Sequence, residues 1–167
     1  MRTDVRVAEA DNAAVSAYLT GRGLSAPLLV SDPDTHAAAA EDVEACLERD
    51  GLRAQGLVLF RRRPAPDEQS VGEVLIGMNH VPDAVIAVGG GTVTDVARIV
   101  SHRLDLPFLS YPTAPSVDAF SSATSAMVFR GVKRTVLARS ADVVFVNNTV
   151  LAAAPHALVA AGFGDMI

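Results

Sequence analysis

Three consecutive glycines, Gly89, Gly90 and Gly91, follow the apolar run Ala84 to Val88 and lead into Thr92 and a helical pattern. Glycine tolerates positive φ and lets another group approach the backbone closely. A helix N-terminus presents free N–H groups and the positive end of the macrodipole, which together favour an anion. The strand–glycine–helix order therefore reads either as a cradle for a pyrophosphate or as a tight connecting turn. It is not a G-x-G-x-x-G fingerprint, so that motif's specificity is not available. Thr92 and Asp95 have capping-box spacing, with Asp in place of Glu or Gln, which gives both a structural reading as well. A second polar stretch, Pro112 to Ser122 (PTAPSVDAFSS), offers the hydroxyls of Thr113, Ser116, Ser121 and Ser122 and the carboxylate of Asp118. It follows the next strand, so it is expected at the same carboxyl edge of the sheet, where ligands of open α/β sheets bind. Its alternative is an ordinary polar loop. A third acidic residue, Asp165, sits in GFGD near the end of the sequence, which in isolation would be a helix end and turn.

The elements that hold these residues alternate between strand and helix. Short apolar runs at Pro27 to Ser31, Gly56 to Phe60, Ala84 to Val88, Phe108 to Tyr111 and Val143 to Val146 read as strands, mostly buried and parallel. Val5 to Val7 is a shorter candidate strand. Helical spacing is expected over Asp11 to Leu19 and over His36 to Arg49, where Ala39, Val43 and Leu47 share a face and Gly51 follows the end. Asp67 to Met78 is expected to be helical with Val71, Val74 and Leu75 inward. Thr92 to Leu104 is expected to bury Val93, Val96, Ala97, Val100 and Leu104. Alternation around Arg130-Gly131 predicts an antiparallel hairpin of Ser125 to Phe129 with Val132 to Ala138. A last helix over Val150 to Ala161 should kink or break at Pro155. The fold class is α/β, a Rossmann-like and mostly parallel sheet flanked by helices, with a hairpin insertion.

Of the 167 residues, 50% are hydrophobic and the formal net charge is −5. That allows a sizeable core and excludes nucleic acid as a partner on bulk charge, since phosphate neutralisation needs clustered Lys and Arg. The one basic cluster, Arg61-Arg62-Arg63, reads mainly as a solvated strand end, with phosphate binding as the alternative. Cys46 is the only cysteine, so neither an intrachain disulfide nor a thiolate metal cluster can form. The N-terminal MRTDVRVAEADN is too polar for a signal peptide, and no apolar run approaches the roughly 20 residues that span a bilayer. A cytoplasmic protein without membrane contact is expected.

Taken together, AVIAVGGGTVTDVARIV, FLSYPTAPSVDAFSS, GVKRT and APHALVAAGFGD, in this order, resemble the sn-glycerol-1-phosphate dehydrogenase family. That family lies within the superfamily of glycerol dehydrogenases, iron-containing alcohol dehydrogenases and dehydroquinate synthases. The resemblance implies a dinucleotide-binding α/β domain over 1–150. The start of a helical metal-binding domain would follow over 151–167, with most of that domain missing. It implies an oxidoreductase that uses NAD or NADP and a divalent metal, usually zinc, on a small phosphorylated polyol or ketone. Homo-oligomers are common in the family. By the resemblance, Gly89, Gly90, Gly91, Thr92, Val93, Thr94 and Asp95 form the pyrophosphate turn. Thr113, Ala114, Pro115 and Ser116 line the nicotinamide side, and Ser122 also touches cofactor. Asp118 contacts substrate and Asp32 lies near the adenosine ribose. Lys133 is a weaker candidate near the cleft. Asp165 matches the metal-binding aspartate, which also faces substrate.

Some positions depart from the family. Its two histidine metal ligands have no counterpart among His36, His80, His102 and His156, which read as surface or structural residues. Ala119, Phe120, Asn147 and Arg98 stand where glycine, tyrosine, aspartate and lysine are common. A dehydroquinate-synthase-like cyclase fragment and a non-catalytic nucleotide-binding or interaction module are the competing readings. With the partner domain gone, Leu151, Leu158, Val159 and Phe163 are expected to leave an apolar face exposed.

Overall fold

The computed structural model describes residues 4–8 and 12–165. The start of the helix expected from Asp11 lies outside them.

Six parallel strands form one sheet: β1 (Asp4–Ala8), β2 (Pro27–Ser31), β3 (Gln55–Val58), β4 (Ala84–Gly89), β5 (Phe108–Pro112) and β8 (Val143–Asn147). Their spatial order is β1-β8-β5-β4-β2-β3. β6 (Thr124–Phe129) and β7 (Val132–Leu137) form the separate antiparallel hairpin, turned by Arg130 and Gly131 at φ 48° and 78°. Positive φ at both central residues is what a tight hairpin turn requires, and Gly131 meets that at no steric cost.

Because side chains alternate along a strand, each central strand feeds two cores. Leu29, Ile86, Val88, Leu109, Val143 and Phe145 pack against α1 (Ala13–Gly21) and α3 (Glu41–Arg49) on one face. Leu28, Val30, Val85, Ala87, Phe108 and Val144 pack against α4 (Glu68–Gly77) and α5 (Gly91–Leu104) on the other. Burial on both faces is why these runs are continuously apolar rather than alternating.

Edge position explains where expectation and structure part. The run Gly56 to Phe60 was expected to be a buried strand. It forms instead the edge strand Gln55–Val58, paired only with β2, and Phe60 lies beyond it at 88% exposure. On α4, Val74 is buried and Val71 half-buried, but Leu75 points outward. It is one residue past the inward stripe, so 100° of rotation carries it off the core. Leu104 is likewise partly exposed at the last turn of α5.

The helix expected over His36 to Arg49 starts earlier. Asp32 caps a short α2 (Pro33–Thr35), accepting the Thr35 N–H at 2.8 Å while Thr35 Oγ1 accepts the Asp32 N–H at 3.0 Å. A wider turn over His36–Ala40 then leads into α3. Pro155 does break the last helix, into α6 (Asn148–Ala152) and α7 (His156–Asp165).

Among the described residues, one charged side chain is wholly buried. Arg98, on α5, is 0% exposed. Its Nη1 donates to Asp95 Oδ1 at 3.1 Å and to the Thr124 carbonyl at 2.7 Å, and its Nη2 donates to the Ala119 and Phe120 carbonyls at 2.7 and 3.2 Å. Its guanidinium carbon lies 5.5 Å from the centroid of the Phe108 ring. The two Nη groups of the planar fork serve this set, which a single ammonium cannot reproduce, while the buried Nε has no hydrogen-bond partner. Replacing Arg98 by Met strands these acceptors and leaves the Asp95 carboxylate without its cation. Breaking a buried ion pair in this way costs about 3–5 kcal/mol. Urea denaturation of R98M should show a loss in that range, with R98K intermediate. A loss below about 1 kcal/mol would mean the loop does not depend on Arg98.

Candidate functional site

The carboxyl ends of all the central strands open at one edge. Along the sheet, β3-β2-β4-β5-β8 is a doubly wound order in which the chain runs outward from β2 to β3 and returns to β4 on the other side of β2. The gap between the ends of β2 and β4 is therefore the topological switch point, where open α/β sheets bind ligands. A cleft of about 410 Å³ lies there, lined by Asp32 and Asp34 from the β2 end, Gly90, Gly91, Thr92 and Val93 from the β4–α5 turn, and Thr113, Ala114 and Ser116 from the loop after β5.

The floor of this cleft is the N-terminus of α5. Gly90 is the N-cap, with extended backbone (φ −85°, ψ −167°), and no side chain caps the helix. The first intrahelical N–H bond is made by Thr94, to the Gly90 carbonyl at 3.0 Å. The amides before it lack an intrahelical acceptor and point out of the helix start. The capping box expected of Thr92 and Asp95 does not form, because the cap is two residues earlier and Asp95 is engaged by Arg98.

None of the three glycines has positive φ. Their requirement is space. A Cβ on Gly89 would come within 2.8 Å of Val93, whereas one on Gly90 would meet only Ser116 Oγ at 3.7 Å. Gly89 thus packs the turn against its helix, and Gly90 keeps the cleft floor bare.

A second cleft, about 470 Å³, shares Gly91, Thr92 and Val117 with the first and extends towards the hairpin. Thr94, Asp95, Lys133 and Asp165 line it. Burial, only partly offset by the neighbouring Arg98 guanidinium, holds the Asp95 carboxyl above the usual range. The same burial lowers the Arg98 pKa. Thr94 Oγ1 is buried without a hydrogen-bond partner. Lys133 is exposed on β7.

α7 roofs both clefts. Leu158 and Ala161 line the first and Asp165 the second. Its seat on the loop after β5 is set by Gly162, where a Cβ would lie 1.7 Å from the Pro115 carbonyl oxygen. That contact brings Asp165 to Asp118, whose backbone N–H donates to Asp165 Oδ2 at 3.1 Å. Both side chains are exposed. Pro115 and Ser122 do not line either cleft; Ser122 Oγ is occupied locally, accepting the Thr124 N–H at 3.0 Å.

Asn147 turns out to be structural. Its amide donates to the Tyr111 hydroxyl at 2.8 Å, which itself donates to Asn12 Oδ1 at 2.8 Å, and its Oδ1 caps α6 through the Thr149 and Val150 N–H groups. An aspartate could cap the helix but could not donate to Tyr111. Burial raises the Tyr111 pKa, so the hydroxyl stays a donor.

For a dinucleotide the chemistry of the first cleft fits: uncapped amides at a bare helix start, beside carboxylates at the β2 end. Of the metal ligands that the resemblance implies, the described residues include Asp165, whose carboxylate is exposed. No group of three or more His, Cys, Asp or Glu side chains gathers among them. His156 and Asp165 share α7 but lie nine residues apart, on opposite faces. Sequence reasoning missed two residues that shape the site. Arg98 was read only as a conserved charge, and Gly162 only as part of GFGD; its small-residue neighbourhood in LVAAGFG was the available signal for close packing.

A model described as iron-containing alcohol dehydrogenase matches residues 6–155. Glycerol-1-phosphate dehydrogenase [NAD(P)+] of Bacillus subtilis (strain 168) is 41% identical over 143 residues, covering 84% of this chain and 36% of that protein. The protein of the same name from Geobacillus stearothermophilus is 36% identical over 90% of this chain and 38% of its own length. The chain thus spans a little over a third of these relatives. An alcohol dehydrogenase from Oenococcus oeni superposes with a TM-score of 0.88 at 17% identity, over 99% of this chain and 49% of that one, which speaks to the fold alone. On the extent of the family match, the chain belongs to the iron-containing alcohol dehydrogenase family.

Proposed function

We propose that this chain is the cofactor-binding part of an NAD(P)- and metal-dependent dehydrogenase that interconverts glycerol 1-phosphate and dihydroxyacetone phosphate. The observation that carries the reading is the uncapped start of α5, set at the switch point and floored by Gly90. The names of the Bacillus subtilis and Geobacillus stearothermophilus relatives support the substrate.

In this reading, residues 1–150 form the dinucleotide domain and 151–167 lead into a helical metal-binding domain. The amides of Gly90 to Val93 take the pyrophosphate, favoured by the dipole of α5. Asp32 accepts hydrogen bonds from the adenosine ribose through the oxygen that its cap to Thr35 leaves free. The Thr113–Ser116 loop, with Ser122 behind it, flanks the nicotinamide, so the reacting end faces the second cleft. Asp165 borders that cleft and Asp118, outside its lining but tied to Asp165 through its N–H, stands next to it; the two orient the substrate hydroxyls. Asp165 also supplies one metal ligand, the others coming from outside this span. A nicotinamide held there would supply hydride exchange with the substrate carbinol carbon, and a metal held partly by Asp165 would supply Lewis-acid polarisation of the carbinol oxygen. α7, pinned by Gly162, excludes water from above.

NADH fluorescence should titrate saturably with the parent chain. Gly90→Asp should weaken binding by ~10-fold or more, because it places a carboxylate on the anion site. The fold should tolerate that change, since a Cβ there meets only Ser116 Oγ. Equal affinity for both proteins would remove the glycine turn from the reading.

Joined to the portion of the relatives that it does not span, the protein should oxidise NADH with dihydroxyacetone phosphate and lose that activity on chelation. Asp165→Asn should cost more than the ~10–100-fold typical of losing an outer-shell partner. Chelator-insensitive turnover would eliminate the metal assignment.

A further inference from the structure

The three arginines after β3 do different work. Arg61 is committed: its Nη2 donates to Asp67 Oδ1 at 2.6 Å and to Ser70 Oγ at 2.8 Å, tying the loop to the start of α4. The expectation of a solvated cluster therefore fails at Arg61. Arg62 is 85% exposed, and its Nε stands 3.8 Å from Asp34 Oδ1, beyond hydrogen-bond length. Asp34, itself 68% exposed, lines the first cleft together with Gly90 and Gly91. Sheet order produces this juxtaposition. β3 lies beside β2 and parallel to it, so the loops after the two strands leave the same edge side by side. The cleft runs from the α5 start to Asp32 and Asp34, and Arg62, outside the lining itself, stands next to Asp34 at that end.

A dinucleotide with its pyrophosphate on α5 brings its adenosine ribose to the end of β2. There a carboxylate binds the ribose hydroxyls and repels a 2′-phosphate, while a nearby arginine accommodates that phosphate. Asp32 already spends one oxygen on Thr35, which leaves Asp34 and Arg62 as the adjustable pair. We infer that Arg62 is the coenzyme-specificity residue: it leaves Asp34 to pair with the 2′-phosphate of NADPH, so that one site takes both NADH and NADPH. This rests on the dinucleotide site proposed above. On this assignment the loose pairing is what lets one site take both coenzymes. Asp34 neutralises Arg62 when no phosphate is present, and the long exposed side chain reaches the phosphate without rearranging the backbone.

The test is a pair of fluorescence titrations, NADH and NADPH, at low and high salt, on the parent chain, R62A and D34N. The parent should bind both. R62A should weaken NADPH by about fivefold or more, the scale of one favourable exposed ion pair, and leave NADH within about twofold. D34N should shift the other way, tightening NADPH, because it releases Arg62 and removes a repelling charge. Salt should weaken NADPH more than NADH in the parent, and this difference should shrink in R62A. An R62A that changes both affinities equally, or neither, overturns the assignment. So does a parent that binds NADH but not NADPH, while the dinucleotide site itself stands. A parent that binds neither coenzyme removes the site and the assignment together.

Discussion

The buried guanidinium of Arg98 sets the shape of the active edge. A cation taken wholly out of water must be surrounded by acceptors, or its burial costs several kcal/mol. The acceptors present are Asp95, one turn back on the same helix, and the carbonyls of Ala119, Phe120 and Thr124. Those carbonyls belong to the segment that leads from Asp118 into the hairpin. The demand of one side chain therefore fixes the path of the loop relative to α5, and with it the distance between the glycine turn and Asp118. The hairpin inherits the same anchor, because β6 begins at Thr124. Ser125 Oγ adds a bond to the Asp95 carbonyl at 3.2 Å.

From that anchor the two clefts follow. α5 starts where β4 ends, and its N-terminus lies between them, shared by both. One cleft points along the sheet edge towards β2; the other points to the hairpin. Gly162 adds the third wall by letting α7 press onto the Pro115 carbonyl. The arrangement separates a cleft that runs from the α5 start to Asp32 and Asp34 from one rimmed by Asp95, Asp165 and Lys133, with a common floor; in the reading proposed above the first holds the extended anionic cofactor. A hydride-transfer enzyme needs that separation, since the reacting end of the cofactor must meet substrate while its phosphates stay anchored.

Much of this was legible in the sequence, for physical reasons that differ by element. The strands β2, β4, β5 and β8 announce themselves because burial on both faces leaves few polar positions. The hairpin is legible because Arg130-Gly131 interrupts a period-2 pattern. The glycine turn is legible as a close-approach turn at a helix start; of the two reasons a glycine offers, the structure uses space and not positive φ. Side-chain commitments are what a sequence does not display. Asp95 looks like a cap and is an ion-pair partner. Asp32 looks like a free ribose acceptor and is half used by a capping box. Arg98 reads only as a charge standing where the family commonly has lysine, and it is wholly buried. Each depends on contacts more than 20 residues away or on where a helix actually begins.

β3 shows how the fold manages one of the two edges that its topology leaves open. An edge strand offers unpaired N–H groups as a template for another chain. Here the Gly56 N–H donates to Glu44 Oε1 at 2.6 Å and the Phe60 N–H to Glu73 Oε2 at 3.0 Å. Leu59, pointing the other way, donates to the Ser31 carbonyl. Two carboxylates from α3 and α4 thus occupy the outward amides at both ends of the strand. Gly56 is required for the first, because a Cβ there would lie 2.2 Å from Glu44 Oε2. The apolar side chains nearby, Val58, Phe60 and Ile76, remain exposed. Strand addition at this edge would have to displace two charge-assisted hydrogen bonds, so any association here must proceed through side chains and leave the backbone ladder at six strands.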